Sequence, residues 1–501
     1  MSRTCSSIRN WPGYSLLFSA LLVLLILPVW SVALVPLTDL PLHMARAYLM
    51  RHYGDGSAMV SYLELSPVPR HNAAFDLLVP PLLGSLSLER ATQWFLTLYL
   101  LLFAAACHWL GRAVSGDGTR FGPPRPAMLP CLFLSCHGSF LYGYVNFSFG
   151  LALALLALAL RIGWGRRWTV LRIAILTALC TLIYLSHLAA LGILGLAWVL
   201  WTLHECFQAR RICLRDAAAF AAFIPAAALY FFTLGEPHGA VAWAGPRLKL
   251  LHSMAGFTSY SLPITMLAAS LGMATLAAGL WFSRHTLRRP VFALGAVFLA
   301  LFLLSPDAFH NATDTDVRFV PPALILAAAA ISFPTRAGRL PVLLLAISLA
   351  VMTARHVDIA LAWRRAGQEM RAQLPSLDVI EPGALVYKAV WIDPNPAVNK
   401  RQRHFLHFPA LSIPRRHSLY PELSSSAKGT WPLHARPDYY YRYLEPGESF
   451  THLDWDRLRT AGGYFWTYGL TPAALAELAP YTSKVYESGP VRVFRIQAKS
   501  L

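Results

Sequence analysis

Charge is scarce in this chain. Only 14% of its 501 residues are Asp, Glu, Lys or Arg, while 56% are hydrophobic. A soluble chain of this size carries roughly a quarter charged residues, so the deficit excludes an ordinary soluble enzyme and points to lipid as solvent. Acidic residues are scarcer still, 25 against 43 Lys and Arg, which leaves a formal net charge of +18. Cysteine is limited to seven, none beyond Cys213, so the C-terminal part has no disulfide to staple it. Cys131 and Cys136 fit no zinc spacing. No internal repeat and no low-complexity stretch is present. The first apolar stretch, Tyr14 to Pro36, is too long for a signal-peptide core and lacks a clean small-x-small site, so it is expected to stay as a first span.

What the chain has is long apolar runs. A bilayer core of about 30 Å needs roughly 20 apolar residues of helix. Eleven runs qualify, the shorter ones as packed or broken spans: 14–36, 91–111, 127–141, 147–160, 170–185, 188–204, 217–234, 263–282, 290–305, 320–333 and 341–354. A break is placed at Ser186 and His187, where one long helix is the rival. With the N-terminus inside, the inner loops hold 17 basic and three acidic residues, the outer loops seven basic and nine acidic. That bias predicts N-in and C-out. It also gives the basic charge a topological role, so no nucleic-acid partner is expected.

Residues 1–354 therefore read as a multispanning membrane domain and 355–501 as a small extracytoplasmic α/β domain. In the tail, an amphipathic helix is expected at 355–374, strands at 384–391, 463–468 and 490–496, and a helix at 472–479 opened by Thr471 and Pro472. The tail also carries His404, His407 and His417, three imidazoles that could ligate zinc but have no convincing fourth ligand, and an aromatic run from Asp438 to Tyr443.

The densest chemical signal follows the first span, in Asp39-Leu-Pro-Leu-His43-Met-Ala-Arg46. Pro41 suits the first turn of a helix, with Asp39 or Thr38 as its cap, and His43 and Arg46 then share a face. Asp39 could accept a proton from a hydroxyl and Arg46 could hold a phosphate; the bland role is a helix cap and two headgroup-level side chains. Asn72 and Asp76 are four apart and could share a helical face behind Asp39. Two carboxylates brought together could hold a divalent cation, so that cofactor stays open. Gly143, Asn146 and Gly150 suit close helix packing. His187 could line a polar cavity or bond a carbonyl. Arg318 stands at the start of a span, where a lone charge needs an anion or a partner such as Asp314 or Asp316.

A long span, an acidic residue opening the first outer loop, and a helix with His and Arg resemble the GT-C glycosyltransferases. The Asp-x-Pro-x-His-x-x-Arg start is most similar to that of uncharacterised bacterial membrane proteins, as are Arg70-His-Asn72 through Pro80 and the Gly143-to-Gly150 stretch. The resemblance covers most of the membrane region. It implies transfer of a sugar from a polyprenyl-phosphate donor in the plasma (inner) membrane to a glycan, lipid or protein acceptor of the envelope on the outer side. It further implies Asp39 and His43 as catalytic residues, and Arg46, Asn72, Asp76, His187 and Arg318 as substrate-binding ones. Adjacent paired acids are absent here, since Leu40 follows Asp39. Two other functions compete. A transporter or flippase for a lipid-linked or anionic substrate should show repeats and mid-span charges, and a non-catalytic envelope glycan assembly protein should tolerate loss of Asp39.

Overall fold

In a computed structural model, residues 13–55, 63–65, 70–116, 121–211, 218–233, 241–309, 312–333, 338–393, 402–424, 433–435 and 449–498 are described. The Asp438–Tyr443 run lies outside them. The principal helices, in chain order, are α1 (Gly13–Trp30), α2 (Leu40–Arg51), α3 (Ala74–Leu78), α4 (Leu88–Ser115), α5 (Gly138–Tyr142), α6 (Val145–Trp164), α7 (Val170–Ser186) and α8 (Leu188–Ala209). They continue as α9 (Ile224–Phe232), α10 (Pro246–Ser253), α11 (Leu262–Phe282), α12 (Arg289–Leu304), α13 (Val320–Ala330), α14 (Leu340–Ala372), α15 (Trp455–Ala461) and α16 (Pro472–Leu478). Among the described residues, α1, α4, α6, α8, α11 and α14 are long and apolar enough to cross a bilayer, with shorter apolar helices between them. This is a multi-pass membrane protein.

The chain divides into two compact units. The first comprises Met1–Trp30, Val68–Ala74 and Leu96–Leu361; the second comprises Ser31–Pro67, Phe75–Phe95 and Ala362–Leu501. The composition change near 355 thus marks only the last segment of the second unit, which also takes in most of the first long loop.

In the first unit, the break at Ser186 is real. His187 takes an extended conformation and its Nδ1 accepts from Ala189 N at 3.1 Å, capping α8. Gly150 on α6 sits against this break; a Cβ there would lie 3.0 Å from Ala190 Cβ and 3.1 Å from Ser186 Cβ, so only glycine lets the helices approach.

The span expected at 127–141 is not one α-helix. It is two 3-10 segments, Pro126–Met128 and Pro130–Cys136, followed by α5. Pro126 and Pro130 lack the amides that an α-helix needs, so an apolar run long enough for a span takes a tighter path. Buried irregular backbone must find other partners. Arg355, fully buried on α14, supplies them: Nη1 donates to Phe133 O at 3.1 Å, Nη2 to Cys136 O, and Nε to Thr258 O at 3.0 Å. The residue taken as the start of the tail is thus a strut of the membrane unit. Nor does a separate helix begin there, because α14 runs unbroken from Leu340 to Ala372.

The core of the second unit is a four-stranded sheet of β1 (Val386–Val390), β2 (Tyr464–Tyr468), β3 (Thr482–Ser488) and β4 (Val491–Ile496), in the order β1-β2-β4-β3. β1 and β2 are parallel and the other pairs antiparallel. Thr471 caps α16, accepting from Ala474 N at 3.3 Å, with Pro472 at the first helical position. Three strands fall where alternation placed them; β3, with its exposed polar residues, gave no apolar signal.

Candidate functional site

In the second unit, Asp39 occupies the N-cap position of α2, with Leu40 and Pro41 opening the helix, but its side chain makes no capping hydrogen bond. The segment before it is anchored by Gln93, whose Nε2 donates to Val32 O at 2.7 Å, and by Gly367, which allows Val32 and Leu34 to pass closely. Asp39 Oδ1 instead lies 3.5 Å from His407 Nε2, with the Asp39 side chain 21% exposed. On its other side, His407 Nδ1 lies 3.6 Å from Glu422 Oε1. Glu422 accepts from Lys388 Nζ at 2.5 Å and from the Tyr420 hydroxyl. Burial would raise the Glu422 pKa, but the His407 and Lys388 charges and hydrogen bonds outweigh it and hold the carboxyl down at about 2. An ionised Glu422 therefore backs an imidazole whose far nitrogen faces Asp39.

His43 and Arg46 do share a face of α2. Arg46 Nη2 donates to His43 Nδ1 at 2.8 Å, which makes Nδ1 the acceptor nitrogen of that ring. Arg46 also grips Asp76 of α3 bidentately, Nε to Oδ1 at 3.0 Å and Nη2 to Oδ2 at 2.9 Å, with side-chain exposures of 1% and 0%. Asp76 is turned to Arg46, and this buried pair ties α2 to α3. Asn72 does not share a helical face with Asp76, because it adopts a left-handed conformation (φ 66°) ahead of α3. Its main-chain and side-chain oxygens accept from Asn146 Nδ2 on α6 at 2.7 and 3.0 Å, within the first unit.

Also in the first unit, Arg318 lies in the 3-10 turn Asp316–Phe319 that leads into α13. It is buried, its Nη2 donates to Thr313 O at 3.1 Å, and its guanidinium packs over the rings of Tyr144 and Phe147. His187, half-buried, stands edge-on to the same Phe147 ring. Neither carboxylate expected to neutralise Arg318 hydrogen-bonds to it, although the Asp314 charge lies near enough to favour the guanidinium. Asp314 accepts from the Tyr144 hydroxyl at 2.9 Å, and Asp316 accepts from Lys249 Nζ at 2.8 Å and meets His252 Nδ1 at 3.0 Å. Among the described residues, Arg318 has no hydrogen bond to a carboxylate, and its buried Nε has no hydrogen-bond partner.

Among the described residues, those spaced to hold a cation are not Asp39 and Asp76 but His252, Asp307 and Asp314, whose ligand atoms lie within 4.8 Å of one another. They meet because Val241–Ala242 pairs antiparallel with Ala308–Phe309, joining two loops far apart in sequence. Lys249, bonded to Asp316, already supplies positive charge beside them. His404, His407 and His417 face separate partners: Glu369, the Asp39–Glu422 pair, and Tyr48. Sequence reading missed His407 as a neighbour of Asp39 and Glu422 altogether. Only their long-range packing brings these groups together.

No protein-family model matches the chain, and no curated protein sequence matches it. Its structure, however, is similar to the crystal structure of ArnT from Cupriavidus metallidurans bound to undecaprenyl phosphate. The TM-score is 0.52, over 97% of this chain and 98% of that one, at 13% sequence identity. The likeness is one of fold. The fold combines apolar membrane helices with a small C-terminal sheet domain.

The Glu422 network gives a pH prediction. A carboxyl held at about 2, against an ordinary 4.5, contributes stability that is full above 4.5 and lost as pH falls through about 2. Thermal unfolding of the full chain in detergent, followed by tryptophan fluorescence, should show a fall in melting temperature across that window. The double variant K388M/E422M should show a flatter profile there; equal slopes would contradict the assignment.

Proposed function

We propose that this protein transfers a sugar from a polyprenyl-phosphate-linked donor to an envelope acceptor on the extracytoplasmic face. The observation that carries the reading is Arg318, a buried guanidinium with no carboxylate hydrogen bond among the described residues. A buried cation in a membrane protein marks an anion site, and a phosphate matches the guanidinium fork. The ArnT structure of like fold has undecaprenyl phosphate bound, which supports a polyprenyl-phosphate partner here.

In this reaction the acceptor hydroxyl oxygen attacks the anomeric carbon as the bond to the phosphate oxygen breaks. The bonding electrons leave on the phosphate, giving the free carrier, and the anomeric centre inverts. Asp39, not used for helix capping, takes the hydroxyl proton. His407, with Glu422 behind it, fixes the position of the Asp39 carboxylate. His43 and the Arg46–Asp76 pair set the pitch of α2 and thereby the position of Asp39. Within the first unit, Arg318, beside the Phe147 ring that His187 also meets, and Asn72, held by Asn146, are the groups offered to the phosphate.

Arg318→Gln should weaken binding of a polyprenyl phosphate by roughly tenfold to a hundredfold, the range for a charge-assisted hydrogen bond. Titration of the carrier into the full chain in nanodiscs measures this. Unchanged affinity would remove Arg318 from the phosphate site.

A further inference from the structure

A second basic site lies in the first unit, away from every residue used above. A cavity of about 1040 Å³ opens among the ends of α4, α6 and α8 and the start of α12. Arg166, Arg167, Arg288 and Arg289 line it, with Trp201 and His204. These helix ends belong to the side that the charge bias assigns to the cytoplasm.

Neighbouring arginines serve the fold. Arg125 Nη1 donates to Ala329 O and Ile331 O at 2.9 and 2.6 Å, and Arg172 Nη1 donates to Arg167 O at 2.7 Å. The cavity arginines differ: among the described residues, the guanidinium groups of Arg167, Arg288 and Arg289 make no hydrogen bond or salt bridge. The carboxylate in the wall, Glu205, is already neutralised. It accepts from Arg161 Nη2 at 2.5 Å and from Trp201 Nε1 at 3.1 Å. The 16-residue helix α12 begins at Arg289, adding the positive end of its dipole.

We propose that this cavity binds the phosphate ester of an anionic ligand, supplied by a membrane lipid headgroup or by a soluble phosphate compound. Four cations around one opening, with no unneutralised carboxylate among the described residues of its wall, fit a phosphodiester or pyrophosphate. Basic pockets between membrane helices take anionic headgroups by this chemistry. The volume exceeds that of a lone phosphate ion, and Val114, Ile162 and Val291 give the wall an apolar part suited to a lipid's glycerol and chain roots.

The test uses the full chain in detergent after delipidation. Native mass spectrometry with phosphatidylglycerol or phosphatidylcholine reads the lipid arm, and protection against heating by inorganic pyrophosphate reads the soluble arm. Retention of phosphatidylglycerol over phosphatidylcholine assigns a lipid source, and pyrophosphate protection alone assigns a soluble one. In either arm, R166Q/R167Q and R288Q/R289Q should each weaken binding roughly thirtyfold, two surface cations apiece. R288K/R289K should largely retain it, which separates loss of charge from misfolding. R210Q/R211Q, at the C-terminal end of α8, controls for general attraction of the basic face. The proposal is overturned if neither probe binds in a way that depends on the four cavity arginines, or if R210Q/R211Q loses as much.

Discussion

Replacing Asp39 by Asn should lower sugar transfer by roughly 10²- to 10⁴-fold, the range for removing a positioned general base. Carrier affinity and membrane yield should stay at wild-type levels. The reason is local. The Asp39 side chain makes no capping bond to α2, so the amide costs the helix little, and Asn is itself an accepted N-cap residue. What the substitution removes is a charge 3.5 Å from His407, which is backed by ionised Glu422. His407→Asn should reduce transfer less and alter its pH profile, because His407 acts through Asp39 rather than on the acceptor. The measurement is turnover with a lipid-linked sugar across pH, alongside carrier binding for each variant. Full activity in D39N would remove Asp39 from the role of base.

The second large effect concerns folding. Arg46→Met should destabilise the protein by about 3–5 kcal/mol, because it leaves the Asp76 carboxylate buried without its bidentate partner. That is a large share of the roughly 5–15 kcal/mol that holds a domain folded. The double variant R46M/D76L should recover most of the loss, since two apolar side chains leave no uncompensated charge. Melting temperature and the fraction of monodisperse protein in detergent report both effects. A double variant as unstable as R46M would show that the ion pair has a role beyond mutual neutralisation.

Much of the membrane architecture was legible because bilayer thickness and apolar run length are one constraint. The break at Ser186 and His187 could be read from two polar residues inside an apolar run, and His187 indeed caps α8. The 3-10 path at 126–136 was hidden for the opposite reason. Its apolar composition suits a span, and its support comes from Arg355, more than 200 positions away. The first-loop helix and the shared face of His43 and Arg46 followed from Pro41 and a spacing of three.

The partners of those residues did not follow. Asp39 meets His407, Arg46 meets Asp76, and Asp316 meets Lys249 and His252 through tertiary packing that leaves no local pattern. The three histidines in the tail, which lacked a convincing fourth zinc ligand, turn to separate partners, because sequence shows spacing and not direction. The two loops that bring His252 near Asp307 and Asp314 pair through a strand only two residues long, too short to show as periodicity.

The most direct test is to incubate the full chain in nanodiscs with a panel of polyprenyl-phosphate sugars and envelope acceptors, and to quantify release of the free polyprenyl phosphate. The account predicts release with at least one donor, dependent on acceptor and abolished by Asp39→Asn. No release from any donor in the panel, or release untouched by that substitution, would contradict it.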